Sequence, residues 1–282
     1  MTRFEGHLAA LATRHGKEQL LAPLLQAELG LHVEVVADVD TDRFGTFTRE
    51  RPREGRALDA ARAKAGAALE AHGRADFALA SEGSFGPHPS MPFVAVGVEL
   101  VLLAGRDGHE LTGTDLTLET TFAASCVSSP DEARAFATRA QFPSHGLIAM
   151  AAPDGQPRPE LGLHKGLVAQ AEFEAVVEAE LRRHGKVWLE SDLRAHLNPT
   201  RRRSIARAAQ ALVRAAKSPC PGCARPGWVV VERRAGLPCA ECGTPTARAR
   251  AEVLGCSACG RREERVLDAP LASPSECPAC NP

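Results

Sequence analysis

Tyrosine is absent from this 282-residue chain, only 5 of its 34 basic residues are lysine, and aromatic residues make up 4% of it. The arginine and alanine bias reads as nucleotide composition of the gene, and no function is drawn from it. Charge of one sign is missing as well: 34 Lys+Arg against 35 Asp+Glu leave a formal net charge of -1. No overall field therefore draws nucleic acid or a membrane, and any such attraction has to be local. Long hydrophobic runs are lacking too. The longest, Met91 to Gly105, is broken by Glu99 and falls short of the ~20 residues a membrane span needs. The first residues, MTRFEGH, have no basic start, apolar stretch or small-residue cleavage site, so the expected location is cytoplasmic and no membrane partner is expected. Neither G-x-x-x-x-G-K-[ST] nor G-x-G-x-x-G occurs, which argues against a standard P-loop or dinucleotide fold. The G-x-S-x-G elbow is absent, which weighs against a serine hydrolase despite Ser84 and His88.

With 44% apolar and 24% charged residues the chain has ordinary globular composition, and its length suits about two domains. Dividing it at residue 215 leaves 25 basic and 28 acidic residues before, 9 and 7 after, so the boundary is compositional and not electrostatic. Short β-rich runs alternate with Ala-rich helical stretches in the first part, as in an α/β domain. The expected strands are 8–13, 31–37, 77–80 and 145–151, and the expected helices are 17–29, 57–71, 130–140, 169–184 and 200–217. Residues 92–103 and 109–118 flank Gly105-Arg106-Asp107-Gly108 and read as a β-hairpin, which makes the sheet mixed. The expected organisation is an α/β domain over 1–190, a basic helical linker over 191–217 and a cysteine-rich domain over 218–282.

Eight of the nine cysteines fall in that last segment as four Cys-x-x-Cys pairs: Cys220/Cys223, Cys239/Cys242, Cys256/Cys259 and Cys277/Cys280. Each pair offers two thiolates from one tight turn, and two turns make a tetrahedral sulfur site suited to Zn²⁺. Eight ligands make two closed, structural sites, a double zinc ribbon. In a tail this poor in apolar residues the metal would supply much of the folding free energy, of order 10 kcal/mol per site in small zinc peptides. The spacing favours pairing the first knuckle with the second and the third with the fourth, with a cross-braced pairing left open. Disulfides or redox-active pairs are the competing reading, opposed by the expected cytoplasmic location and the regular spacing. Cys126 reads as a small core residue.

Three polar clusters in the first part carry more glycine, charge and hydroxyl than connections need. Residues 12–18 lie between a strand and a helix, where free backbone amides, Thr13, His15 and Lys17 suit a phosphate; an ordinary turn is the alternative. Residues 38–50 gather carboxylates and hydroxyls, oxygens that suit Mg²⁺ or remain solvated. Residues 80–89 leave the end of a buried strand, where α/β sheets place ligands, with Glu82 as metal ligand or base and Gly83 and Gly86 permitting close approach.

The segments RHGKE, DTDRFGTFTRE and ASEGSFGPHP, with the four-knuckle tail ending in CNP, resemble an uncharacterised bacterial family of unknown function. A more distant likeness is to the inosine/xanthosine triphosphate pyrophosphatases. It rests on Thr-x-His-x-Lys at the first helix, a carboxylate loop, Ala-x-x-Lys-Ala on a helix, and Ala-Asp-Phe-x-x-x-x-Glu-Gly before a hairpin. That resemblance implies the pyrophosphatase fold, with Thr13, His15 and Lys17 on phosphate, Glu50 and Glu82 on Mg²⁺ or Mn²⁺, Lys64 assisting, and Ser81 and Ser84 lining the site. It implies release of pyrophosphate from a nucleoside triphosphate. The chain departs from the pattern at His15, where the pyrophosphatases have Asn. It departs again at Lys17, one residue early, at Ser81-Glu82, where paired aspartates are usual, and at Gly146 after Ser144-His145. These departures imply either a different substrate or lost hydrolysis.

From Leu193 to Lys217 there are seven basic residues and no acidic one. Arg201, Arg202 and Arg203 fall in the first turn of a helix capped by Asn198-Pro199-Thr200, where positive charge opposes the dipole. With Arg194 they are candidate anion-binding residues, for nucleic acid, a substrate phosphate, or acidic groups of the first domain. Scarce aromatics lower the single-strand reading. The expectation is a Mg²⁺-dependent nucleotide hydrolase with a structural zinc-ribbon tail. The competing expectation is a nucleic-acid- or protein-binding zinc-ribbon module whose first domain senses a nucleotide without catalysis.

Overall fold

The computed structural model describes residues 3–37, 39–44, 55–88 and 91–282. The chain forms two compact units, Met1–Val213 and Arg214–Pro282. In the first unit a five-stranded sheet runs in the order β2 (His32–Val35), β1 (Leu8–Leu11), β3 (Phe77–His88), β4 (Met91–Gly105), β5 (Glu110–Thr117). β1 pairs in parallel with β2 and β3, whereas β3, β4 and β5 are antiparallel, so the sheet is mixed, as the sequence suggests. β1 is buried with the sequence LAAL between two parallel neighbours, the apolar run expected of a strand covered on both faces. Helix α1 (Glu18–Leu29) ends at Gly30 in the left-handed region. Helix α2 (Ala57–His72) buries Ala60, Ala61, Ala65 and Ala68, and the last three pack with Ala78, Ala80, Leu100 and Leu102 of the sheet. Alanine there lets the helix approach closely.

β3 is longer than the sequence reading of 77–80. The glycine- and proline-containing segment expected to leave the sheet continues in it to His88, every residue paired with β4. A 15-residue, largely apolar partner strand overrides the loop-like local composition. β4 and β5 form the expected hairpin, closed by the Gly108 amide on the Gly105 carbonyl at 3.0 Å.

A second sheet is antiparallel, in the order β6 (Ala124–Val127), β9 (Val187–Ser191), β7 (Leu147–Ala151), β8 (Leu163–Leu167). Helices α3 (Pro130–Arg139) and α4 (Gln170–His184) bury Phe136, Phe173 and Val177 against Leu147, Ala149 and Leu189. Residues 191–217, expected as a linker, hold a 3-10 turn at Ala195–Leu197 and helix α5 (Pro199–Ala216), and the unit boundary falls inside α5. Asn198 caps that helix by accepting the Arg201 amide at 2.9 Å. Ile205, Ala208, Ala209 and Leu212 are completely buried, so α5 is a packed element of the first unit. Its approach to β5 leaves no room at Gly113, where a Cβ would lie 2.1 Å from the Ala208 carbonyl oxygen. Among the described residues no helix is long and apolar enough to cross a membrane.

The second unit is built on a three-stranded antiparallel sheet, β10 (Val229–Ala235), β11 (Ala249–Gly255) and β12 (Arg262–Val266).

Candidate functional site

Four cysteine turns repeat one geometry in the second unit. In each, the carbonyl of the first cysteine accepts the amide four residues on: Ala224 on Cys220 (2.8 Å), Gly243 on Cys239 (3.0 Å), Gly260 on Cys256 (2.9 Å) and Asn281 on Cys277 (2.9 Å). Three of the four also aim an amide at the first sulfur: Gly222 on Cys220, Glu241 on Cys239 and Ala279 on Cys277. Cys220, Cys223, Cys256 and Cys259 make one group, and Cys239, Cys242, Cys277 and Cys280 the other. Sulfur separations include 3.7 Å (Cys220–Cys259), 3.8 Å (Cys223–Cys256), 3.9 Å (Cys239–Cys280) and 3.5 Å (Cys242–Cys277). A tetrahedron with Zn–S of ~2.3 Å has edges of about 3.8 Å, whereas a disulfide needs about 2.05 Å. The two groups can therefore hold two zinc ions, each closed by four sulfurs.

The pairing corrects the sequence preference. First joins third and second joins fourth, because a single strand, not a hairpin, separates successive knuckles. Val229 at the start of β10 pairs with Gly255 at the end of β11, which brings the first knuckle beside the third; the second and fourth meet at the opposite end of the sheet. Several of the sheet's charges are paired with one another. Glu252 accepts Arg233 (3.2 Å) and Arg265 (2.9 Å), and Arg234 bridges Glu232 and Glu264.

In the first unit the loop after β1 turns at Thr13, whose hydroxyl accepts the His15 amide at 3.4 Å. Lys17 then caps α1 with its carbonyl, which accepts the Leu21 amide at 3.0 Å. The Lys17 side chain is buried, and its Nζ donates to the Ser81 carbonyl of β3 at 2.8 Å. Burial, and then the nearby Arg201 cation, lower the Lys17 pKa from 10.5 to about 7, with Glu82 and Glu99 pulling the other way. Glu82 follows on β3 and is ion-paired with Lys64 of α2, both side chains largely buried. On β4, Glu99 is fully buried and binds the buried Arg201 of α5 through Nε at 2.6 Å. Arg201 also donates to the Leu193 carbonyl and lies 5.5 Å over the Phe85 ring. Gly83 leaves the space for this pair: a Cβ would sit 2.5 Å from Glu99 Oε1 and 2.9 Å from Arg201 Nη2.

The structure thus brings Lys17, Lys64, Ser81 and Glu82 together beside β3. Ser84, two residues on, shares the sheet face of Glu82, and the buried Ser81 side chain is on the other face, its hydroxyl without a hydrogen-bond partner among the described residues. Thr13 and His15 stay in the preceding turn, with the His15 ring stacked 5.1 Å from His196. Burial and the cations Arg194 and Arg202 hold His196 below the ordinary histidine pKa. Glu50 lies outside the described residues. Arg194 is bound by buried Asp192 (2.6 Å), Arg203 by Glu119 (2.5 Å) and Arg202 by Gln19 (3.5 Å). Ser144 Oγ lies 3.0 Å from His145 Nδ1, whose ring reaches Thr200 through Nε2.

Glu99 belongs to no motif, and its signal in the sequence is that one carboxylate inside an apolar run has to find a buried counter-charge.

A mixed α/β unit with a buried charge cluster, followed by a small sheet with two four-cysteine groups, defines the class of protein. The chain belongs to the family described as Domain of unknown function (DUF6671), whose model matches residues 64–282. Comparison with curated proteins and with solved structures gives no match.

Proposed function

We propose that the first unit binds the phosphate chain of a nucleotide beside Lys17, Lys64 and Glu82 and hydrolyses it with Mg²⁺, and that the second unit is a structural zinc module. The observation that carries this reading is the charge balance of the buried cluster. Among the described residues the charges acting on the buried Lys17 are the cations Arg201 and Lys64 and the carboxylates Glu82 and Glu99, so protonating Lys17 adds a positive charge where burial makes it costly. A bound anion supplies the balance. The cluster lies beyond the carboxyl end of β1, at the start of α1, the part of an α/β sheet where ligands are received. The distant pyrophosphatase likeness assigns the same residues.

Magnesium takes one or two carboxylates and completes its shell with substrate phosphates and water. Glu82 would hold it, with Glu50 as the second carboxylate. When bound, Mg²⁺ would neutralise phosphate charge and orient the attacking water. Lys17 would contact the phosphate chain and gain its proton as the anion arrives. Lys64 would lie against the same phosphates, with Thr13, His15 and Ser84 around them and Ser81 holding the Lys17 amine by its carbonyl.

The competing reading, a nucleic-acid-binding module, draws less support. Arg194, Arg201, Arg203 and Arg207 are bound by carboxylates of their own unit, and in the second unit Arg233, Arg234 and Arg265 are paired with carboxylates of its sheet. Product chromatography tests the choice, using zinc-loaded protein, Mg²⁺ or Mn²⁺, and a panel of standard, deaminated and oxidised nucleoside triphosphates. Monophosphate and pyrophosphate made by wild type and lost in a folded Glu82→Gln variant are expected. No turnover across the panel, or undiminished turnover in the variant, would overturn the reading.

A further inference from the structure

Glu180 belongs to no part of the Lys17 cluster. It lies on α4, near the C-terminal end of that helix, and is buried. A carboxylate there is unfavourable twice over, because burial strips its hydration and the helix dipole opposes its charge. The fold nonetheless makes room for it: at Gly162, just before β8, a Cβ would stand 2.8 Å from Glu180 Oε2 and 3.3 Å from Oε1. Among the described residues Oε2 has no hydrogen-bond partner, and the guanidinium paired with the carboxylate, Arg183, is 4.0 Å from Oε1 with its side chain 72% exposed. Such a distant, hydrated cation offsets little of a buried charge. Two imidazoles approach more closely. His164 of β8 places Nε2 3.2 Å from Oε1, and His184, one turn further along α4, places Nε2 3.7 Å from Oε2.

We propose that His164, Glu180 and His184 bind a divalent first-row transition metal such as zinc, at a site separate from the cysteine groups. The i, i+4 spacing sets Glu180 and His184 side by side on one helix face, and β8 supplies the third ligand from the neighbouring sheet. Two ligands on a tetrahedral ion at ~2.1 Å stand about 3.4 Å apart, and the two nitrogen–oxygen separations bracket that value. Each nitrogen stands at a different oxygen, the arrangement of a bidentate carboxylate flanked by two imidazoles. The imidazole side chains are 37% and 21% exposed, which gives them room to close on a common ion. Imidazole with one carboxylate suits zinc, nickel or iron over magnesium or calcium, and the ion supplies the counter-charge that Glu180 lacks. Three protein ligands leave a coordination position for water, unlike the closed four-sulfur groups. The site is independent of the nucleotide reading.

Cobalt titration of the zinc-loaded full chain, followed by visible absorption, tests it without turnover. Co²⁺ held by nitrogen and oxygen gives weak visible bands, whereas Co²⁺ that displaces zinc from the thiolates gives intense sulfur-to-metal charge transfer. One cobalt per chain with the weak bands alone is expected. His164→Ala, His184→Ala and Glu180→Gln are each expected to weaken its binding by at least about tenfold, and His32→Ala, an exposed histidine on β2, to leave it unchanged. Charge-transfer absorption without the weak bands, no cobalt uptake, or wild-type affinity in the folded variants overturns the proposal. A readout that needs no ligand variant is the unfolding of the first unit, reported by Trp188 in a Trp228→Phe background. Cobalt is expected to raise its thermal midpoint, and an unchanged midpoint overturns the proposal.

Discussion

Replacing Lys17 by methionine isolates the cost of the buried ammonium. In the folded protein the Lys17 pKa falls from 10.5 to about 7, so between those values the unfolded chain carries a proton that the native state has released. Stability therefore rises with pH across that window, at about 1.4 kcal/mol per pH unit for one proton. The full penalty, on the order of 5 kcal/mol, is present below pH 7 and is relieved as pH approaches 10.5. Lys17→Met removes the term and also gives up the hydrogen bond to the Ser81 carbonyl, worth about 1 kcal/mol. The variant should thus be the more stable protein at pH 6.5, with the difference shrinking and reversing near pH 9.5 to 10. Urea unfolding of the zinc-loaded chain at three pH values measures this. With only two tryptophans in the chain, a Trp228→Phe background leaves Trp188 to report on the first unit alone. Parallel stability curves for the two proteins, with a constant difference from pH 6.5 to 9.5, would refute the assignment of a largely neutral, buried Lys17.

The cross-braced pairing gives a metal count: Cys220→Ser with Cys256→Ser should cost one zinc per chain, whereas Cys220→Ser with Cys239→Ser should cost both, measured by elemental analysis. Gly113→Ala places a Cβ 2.1 Å from the Ala208 carbonyl and 2.2 Å from the Leu212 nitrogen. Only a shift of α5 relieves that, so denaturant unfolding should show a loss of at least about 3 kcal/mol. Ala224 holds φ 58 at the knuckle position where Gly243 and Gly260 hold 73 and 74. Ala224→Gly should relieve that strain and stabilise the second unit by about 0.5 kcal/mol after the cost of a more flexible unfolded chain, read from its thermal midpoint.

The zinc ligands were legible because each knuckle is local and repeats at nearly even spacing. Their pairing was not, since it depends on whether one strand or two lie between knuckles, and the charged stretches of β11 and β12 do not announce themselves as strands. The strand–helix alternation around β1, α1, α2 and β3 and the β4/β5 hairpin could be read from periodicity and turn residues. The far half of β3 could not, because Gly83, Gly86 and Pro87 are loop residues until a long apolar partner is laid beside them. LHKGL of β8 and VWLES of β9 are too short to show a period. The first-unit cluster was half legible: Lys17, Lys64 and Glu82 carry motif signals, whereas the Glu99–Arg201 pair joins residues 102 apart in sequence. The arginines of α5 read as a basic surface because their carboxylate partners lie far away along the chain.

The account stands most directly on Lys17 being a nearly neutral amine that takes up a proton when a phosphate chain binds. Calorimetric titration of the zinc-loaded protein with a non-hydrolysable Mg²⁺–nucleoside triphosphate analogue, repeated in buffers of different ionisation enthalpy, measures that uptake. The predicted result is close to one proton taken up per analogue at pH 8, falling toward none below pH 6, because Lys17 is already charged there. Binding at pH 8 with no proton uptake, or no binding at all, would contradict it.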